Sequence, residues 1–411
     1  MDHINKENLL STCQFGFRPN RSTETALQTY VDSILTAFDD NKFTVSVFID
    51  LSKAFDTVDH SILLEKLQHY GVRNTALSWF RSYLTDRVQY VKFNNIMSSK
   101  YNINCGIPQG SILGPLIFII YINDIINSTQ HLKYILYADD STLSASHHDV
   151  TTLINIMNNE LAKVTSWFAA NKLTLNIKKT NYMILHRNKH IMYPLPAIRI
   201  NDYVMQEVIK TRFLGVIISK SLLWHEHIAH LKGKLSKISG ILYLSKSYLP
   251  KSTMLMIYYA LVYPNLTYCN TVWGGASREA LRPLEVLQKR VIRTMEGLRK
   301  RDHTNDAFHE LELLKLLDIY IFSCSTYVFK CLNGLTINSF NLNARNTGYN
   351  TRRCNALQTP RLHSCQSETN IKYQGPTTYN ELPSHVKDKP SLPSFKHSLK
   401  QHLLNKYANN V

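Results

Sequence analysis

No Cys-x-x-Cys pair, no apolar run of membrane-spanning length and no acidic excess occur in the 411 residues of this chain. Each absence removes a class of protein. The seven cysteines (Cys13, Cys105, Cys269, Cys324, Cys331, Cys354 and Cys365) are odd in number and scattered. They therefore argue against a disulfide framework or a zinc ribbon and for reduced thiols in an intracellular compartment. The longest apolar runs, Ile112 to Tyr121 and Leu255 to Pro264, are too short to cross a bilayer. The opening residues, Met1-Asp-His-Ile-Asn-Lys-Glu7, lack a signal-peptide pattern, so the sequons at Asn127 and Asn265 carry no meaning. His225-Glu-His227-Ile-Ala-His230 looks like a zinc-hydrolase helix but fails it, because Ala229 stands where the second ligand belongs. There are no internal repeats. What the chain does have is basic charge, 47 Lys and Arg against 30 acids for a net +17. That excess favours polyanionic partners, although a merely soluble basic protein shares it. The length leaves room for two or three domains.

The most informative stretch is Tyr137-Ala138-Asp139-Asp140, where a run of β-formers stops at two carboxylates and resumes. It reads as a hairpin with acids at its tip. Adjacent carboxylates between apolar strands repel each other and are costly to bury without a cation, although Asp also suits turns for local reasons. A second stretch changes the balance. Val45-Ser-Val-Phe-Ile-Asp50 is another apolar strand that delivers a carboxylate at its end. One Asp from a strand and two from a hairpin suit a pair of Mg²⁺ ions about 4 Å apart, the arrangement used for in-line phosphoryl transfer.

The intervening segments fit around these two. Gln14-Phe-Gly-Phe-Arg18-Pro-Asn-Arg21-Ser-Thr is a loop before a helix, and its two guanidiniums match phosphate oxygens as well as they match an ordinary surface. Asp56 and Asp59 open a helix carrying Val58, Ile62, Leu63 and Leu67, where acids are structural. Phe55 reads simply as a core aromatic. Residues 79–93 interleave Arg81, Arg87 and Lys92 with aromatics, a pattern suited to nucleic acid or to a solvated surface. In Gly106-Ile-Pro-Gln109-Gly110-Ser-Ile-Leu-Gly114-Pro115, Gln109 is a neutral donor and acceptor at a turn. The two glycines beyond it predict close backbone approach. The periodicity predicts a helix over 150–171 with Leu153, Ile156, Met157, Leu161, Val164 and Phe168 inward. Lys178 and Lys179 then interrupt a strand-like stretch, Leu173 to Leu185. From Trp224 the pattern turns helical and Lys-rich, and 338–369 is a polar tail, loosely structured. The chain closes on a short basic amphipathic helix over 391–404.

Gln-Phe-Gly-Phe-Arg-Pro-Asn-Arg-Ser-Thr, Phe-Ile-Asp-Leu-Ser-Lys-Ala-Phe-Asp, Gly-Ile-Pro-Gln-Gly-Ser, Tyr-Ala-Asp-Asp, Lys-Lys-Thr and Phe-Leu-Gly-Val occur in this order. The combination, from Gln14 to Val216, resembles the reverse transcriptase of a non-LTR, Jockey-like retrotransposon. The resemblance implies an α+β right-hand polymerase, a palm of antiparallel sheet with helices on one face, followed by a helical thumb and a C-terminal tail. It divides the chain into a residual fingers segment (1–42), a palm (43–220), a thumb or connection (221–335) and a basic tail region (336–411). It also implies that Asp50, Asp139, Asp140 and the Leu51 carbonyl hold two Mg²⁺, with Mn²⁺ as substitute. Phe55 becomes a gate against a 2′-hydroxyl, Gln109 and Gly110 contact the nucleotide, and Arg18 and Arg21 stand near its phosphates. Lys179 lies near the pyrophosphate, and Phe213, Leu214, Gly215 and Val216 form the primer grip.

The partners implied are an RNA template, a DNA primer or target and dNTPs, with no membrane. The setting implied is the nucleus and cytoplasm. Family members also carry finger motifs upstream of Gln14 and an endonuclease, and neither is expected in this chain, which reads as an N-terminally truncated copy. A remnant that only binds nucleic acid is therefore the competing expectation, since net charge and basic helices would serve it equally.

Overall fold

Strand β1 (Phe43–Ile49) is buried along all of its seven residues, as its near-continuous apolar and β-branched sequence requires. The computed structural model describes residues 7, 9–187, 191, 193–337, 340, 342, 356–361, 364 and 366–408. These fall into two compact units, 1–26 with 41–209 and 27–40 with 210–411. Helix α1 (Thr23–Asp39) contributes to both.

In the first unit the short pairs β2 (Val88–Gln89) with β5 (Tyr101–Asn102) and β3 (Lys92–Phe93) with β4 (Ile96–Met97) stand apart from the main sheet. That sheet contains β6 (Lys133–Tyr137), β7 (Asp140–His147), β8 (Asn181–Leu185) and, beyond a small β9–β10 hairpin (Arg199–Ile200, Tyr203–Val204), β11 (Gln206–Glu207). Its strand order is β11-β8-β1-β7-β6. Every pair is antiparallel except β11 with β8. Side chains alternate across a strand. Phe43, Val45, Val47 and Ile49 accordingly join the main core with Leu143 and Ala145 of β7. Thr44, Ser46 and Phe48 face the other way, opposite Ser146, Ser144 and Thr142 in register.

Helices α2 (His60–His69), α3 (Asn74–Leu84), α4 (Leu113–Tyr121) and α5 (Val150–Ala170) follow in chain order. Asp59 caps α2, its carboxylate accepting from the Ser61 and Ile62 amides, while Lys172 pairs with it at 2.6 Å. That structural reading holds, but Val58 lies before the helix rather than on its face. On α5 the buried stripe is Leu153, Ile154, Met157, Leu161, Val164 and Phe168; Ile154 takes the place expected of Ile156. Only 181–185 of the stretch after it is strand, because 177–179 form a turn.

In the second unit β12 (Lys210–Phe213) and β13 (Val216–Ser219) form a hairpin, and helices follow. The main ones are α6 (His225–Ser245), α7 (Arg278–Glu296), α8 (Leu316–Leu332), α9 (Ile371–Asn380) and α10 (Leu392–Ala408). The expected closing helix is α10, and it is a core element. Phe395, Leu399 and Leu403 are buried, and the Phe395 ring stacks on Phe329 at 4.3 Å. Much of the predicted tail, 338–369, lies outside the described residues. Among the described residues no helix is long and apolar enough to cross a membrane.

Candidate active site

The carboxylates are brought together by strand register. Ile49 pairs with Ser141, so the next step along both strands sets Asp50 beside Asp140. Alternation turns both side chains to the face opposite the main core. Tyr137 pairs with Asp140, leaving Ala138 and Asp139 as a two-residue turn. Ala138 has φ +55, the left-handed first position that a tight hairpin of this kind needs and that usually selects glycine. The expected hairpin with acids at its tip is therefore present.

Asp50 is fastened from three sides. Its Oδ2 accepts from Asn176 Nδ2 at 2.8 Å, its carbonyl from the Asn176 amide at 2.8 Å, and its own amide donates to Thr180 Oγ1 at 3.3 Å. Lys179 Nζ stands 3.8 Å from the same Oδ2, a loose contact because the lysine side chain is 71% exposed. Leu51 is buried and bridged to Leu175. Burial raises the Asp140 carboxyl above its ordinary range, and the charges of Asp139 and Asp50 push it further. Among the described residues no three His, Cys, Asp or Glu side chains are gathered closely enough to cage an ion. The donor set nevertheless suits a hard divalent cation: three carboxylates at one end of a sheet, with carbonyl oxygen nearby.

The loop 105–111 lies against the turn that follows β1. Ile107 N donates to Phe55 O and Gly106 N to Val58 O, both at 2.8 Å. The Phe55 ring stacks on Phe118 at 4.5 Å between centroids while remaining half-buried. Gln109 Nε2 donates to Asp56 Oδ1 at 2.8 Å. Gly110 requires correction. Nothing lies within 4 Å of the Cβ it lacks, and its φ of +79 is what favours glycine there. Gly114 does show the close approach expected, with Ser111 Oγ at 3.0 Å. So does Gly106, which sequence reasoning passed over: a Cβ there would meet the Asp56 carbonyl at 2.7 Å.

Comparison with known proteins gives the family of the chain. The family model described as reverse transcriptase (RNA-dependent DNA polymerase) matches residues 1–218, more than half of the chain. The chain belongs to the reverse transcriptase family. It is 27% identical over 315 residues to a probable RNA-directed DNA polymerase from transposon X-element of Drosophila melanogaster, which covers 74% of this chain and 34% of that protein. It is 26% identical over 316 residues to the RNA-directed DNA polymerase from mobile element jockey of Drosophila funebris, with the same coverage. The resemblance to non-LTR retrotransposon enzymes is thereby borne out. The chain spans about a third of the length of these curated relatives. A solved structure of telomerase from Candida albicans with a TWJ fragment of telomeric RNA is similar at 14% identity and a TM-score of 0.44, covering 76% of this chain and 56% of that one.

Elsewhere in the first unit, Arg18 and Arg21 are knitted into their own loop. Arg18 Nη1 donates to the carbonyls of Leu10 and Ser11 at 3.2 and 2.6 Å, and Arg21 Nη1 to Gln14 O at 3.0 Å. Burial, then the charge of Arg18, brings the Arg21 guanidinium down to about 10. Each is a staple of residues 10–14, with its other nitrogens left for further contacts.

The Phe213–Val216 motif belongs to the second unit and forms the β12–β13 turn. Leu214 and Gly215 have φ of +45 and +83, both left-handed, as a type I′ turn requires. Leucine is a poor choice there, and Tyr268 holds it: its hydroxyl donates to Leu214 O at 2.8 Å while its ring lies over Gly215. Beside this turn a cavity of about 320 Å³ is lined by Arg212, His227, His230, Lys234 and Tyr268 among others. Neither Arg212 nor Lys234 forms an ion pair among the described residues. Gln14, Asn176 and Tyr268 are the residues that sequence reasoning missed. No signal distinguished them, because each acts through a fold-dependent hydrogen bond.

His227 yields a prediction. Its ring is buried, and its Nδ1 accepts from the Ile217 amide at 3.3 Å, a role that a protonated ring cannot fill. Burial lowers it to about 4, with His230, Lys234 and Arg212 adding to the shift. The unfolded chain therefore binds the extra proton first, so this contribution is intact at neutral pH and is lost as pH falls from about 6.5 to 4. The loss expected at pH 4 is about 3 kcal/mol. Urea unfolding at pH 7 and pH 4.5 should show a steeper drop for wild type than for His227→Gln. Equal drops would refute it.

Proposed function

We propose that this chain is an RNA-directed DNA polymerase, adding deoxynucleotides from dNTPs to a primer 3′-hydroxyl on an RNA template. The observation that carries the reading is the register that sets Asp50 beside Asp140 on one sheet face, with Asp139 in the adjoining turn. Asp50, Asp139, Asp140 and the Leu51 carbonyl are the groups that would hold two divalent ions, Mg²⁺ or Mn²⁺. When bound, such ions supply activation of the 3′-hydroxyl and neutralisation of charge on the departing pyrophosphate.

The chain's own side chains do the rest. Phe55, its ring fixed by the Phe118 stack, flanks the sugar and selects against a 2′-hydroxyl. Gln109 and Gly110 form the turn against which the nucleotide sits. Lys179 carries a proton for the pyrophosphate. The Phe213–Val216 turn takes the primer strand, and Arg18 and Arg21 offer their remaining N–H groups to phosphate.

Extension of a primer on a short RNA template with Mg²⁺, by wild type beside Asp139→Asn, tests the reading. Extension by wild type alone supports it. No extension by a folded chain, with equal hybrid binding by both proteins, would instead favour a polymerase-derived binding module. Nucleic-acid contact through Arg212 and Lys234 is expected to be electrostatic. Converting either to Gln should reduce the slope of log K against log salt by about 1. Unchanged slopes would exclude the cavity beside Tyr268 from the binding surface.

A further inference from the structure

The two carriers of the carboxylates are each held by a neutral amide side chain. Asn176 binds Asp50 through both its side chain and its backbone, at 2.8 Å in each case. The Asn176 carbonyl in turn accepts from Lys179 N at 3.0 Å and from Thr180 N at 2.9 Å, so this residue also shapes the turn that presents Lys179. On the other carrier, Gln14 is fully buried. Its Oε1 accepts from Gly16 N at 2.8 Å and from Ala138 N at 3.4 Å, the latter inside the turn that bears Asp139. Two N–H donors fix which end of this amide faces the turn. Its Nε2 is buried with no partner among the described residues. An aliphatic side chain would fill the same space but leave the Gly16 and Ala138 amides without this acceptor, so the glutamine is there for its oxygen rather than for packing.

The geometry points to Gln14 and Asn176 as paired positioning residues that set the placement of Asp139 and Asp140 against Asp50. Neither touches the reacting atoms; each acts through the carboxylate carrier it holds. The inference rests on the proposed role of these three carboxylates as the metal-holding set. Outer partners that orient metal ligands typically govern affinity by about 10- to 100-fold.

The test is Mn²⁺ binding by the full chain, read by the loss of the free-ion paramagnetic resonance signal. Thermal unfolding and primer extension across a Mn²⁺ titration are measured on the same samples. Asn176→Ala and Gln14→Met are each expected to weaken Mn²⁺ binding about 10-fold, the first with the unfolding midpoint in place and the second with a lowered one, since two backbone amides lose their acceptor. They should also raise the Mn²⁺ concentration for half-maximal extension, with the rate recovering at saturating metal. A purely structural role would not give that recovery. Should Gln14→Met not fold, Asn176→Ala on the half-buried rim carries the test. Wild-type affinity in the folded variants would overturn the positioning role alone. Absence of Mn²⁺ binding in wild type and Asp139→Asn alike would overturn the carboxylate reading and this inference together.

Discussion

Asp50→Asn is expected to slow nucleotide addition by on the order of 10³-fold while leaving the fold intact. The substitution preserves shape. It keeps the backbone amide that donates to Thr180 Oγ1 and the carbonyl that accepts from Asn176. It also keeps a side-chain oxygen able to accept from Asn176 Nδ2. The only contact removed is the 3.8 Å pairing with Lys179, whose exposure makes it worth about 0.5 kcal/mol or less. The charge is what disappears, and with it the attraction for a divalent ion at the end of β1. Single-nucleotide addition at saturating Mg²⁺, with the thermal midpoint measured alongside, separates the two effects. A rate within tenfold of wild type would remove Asp50 from the essential set.

Gly16→Ala is expected to damage the same site from a distance. A Cβ on residue 16 would lie 2.6 Å from Ala138 N and 3.1 Å from the Tyr137 carbonyl carbon, and neither backbone atom can swing aside as a side chain can. Either residues 14–16 leave β6, or the turn carrying Asp139 shifts. Misplacement by about 1 Å is enough to cost about 10²-fold in rate. Overpacking of this kind destabilises by about 1–3 kcal/mol. Gly297→Ala is the control, because its Cβ meets open space and only the backbone strain of φ +68, about 1 kcal/mol, is added. Comparing extension rates and urea midpoints for the two variants checks the argument. A Gly16→Ala protein as active as Gly297→Ala would refute it.

The carboxylates were legible because their signal is local: an apolar strand that ends in Asp, and β-formers interrupted by Asp-Asp. The same locality made the Asp59 cap and the stripe on α5 readable, with Ile154 for Ile156 a slip of half a turn within a correct period. What stayed hidden depends on pairs far apart in sequence. Gln14 meets Ala138, and Tyr268 meets Leu214, only because the chain folds them together. Gly110 was misread for a related reason. A glycine kept for its backbone angle and a glycine kept for close approach look alike until the neighbours are placed. The Arg18 and Arg21 pair shows the same limit, since phosphate-like recognition and the capture of backbone carbonyls use the same guanidinium.

The pairing of residues 13–15 with Leu136 has a meaning beyond catalysis. Leu136 donates to the Cys13 carbonyl at 2.9 Å and accepts from the Phe15 amide at 2.7 Å. These bonds cap the outer border of β6, the last strand of the main sheet on that side. An uncapped border of this kind invites another chain to add a strand. The short stretch from Cys13 to Gly16 thus guards solubility as well as steadying the turn, and damage to it would lead to self-association by the route a bare strand edge provides.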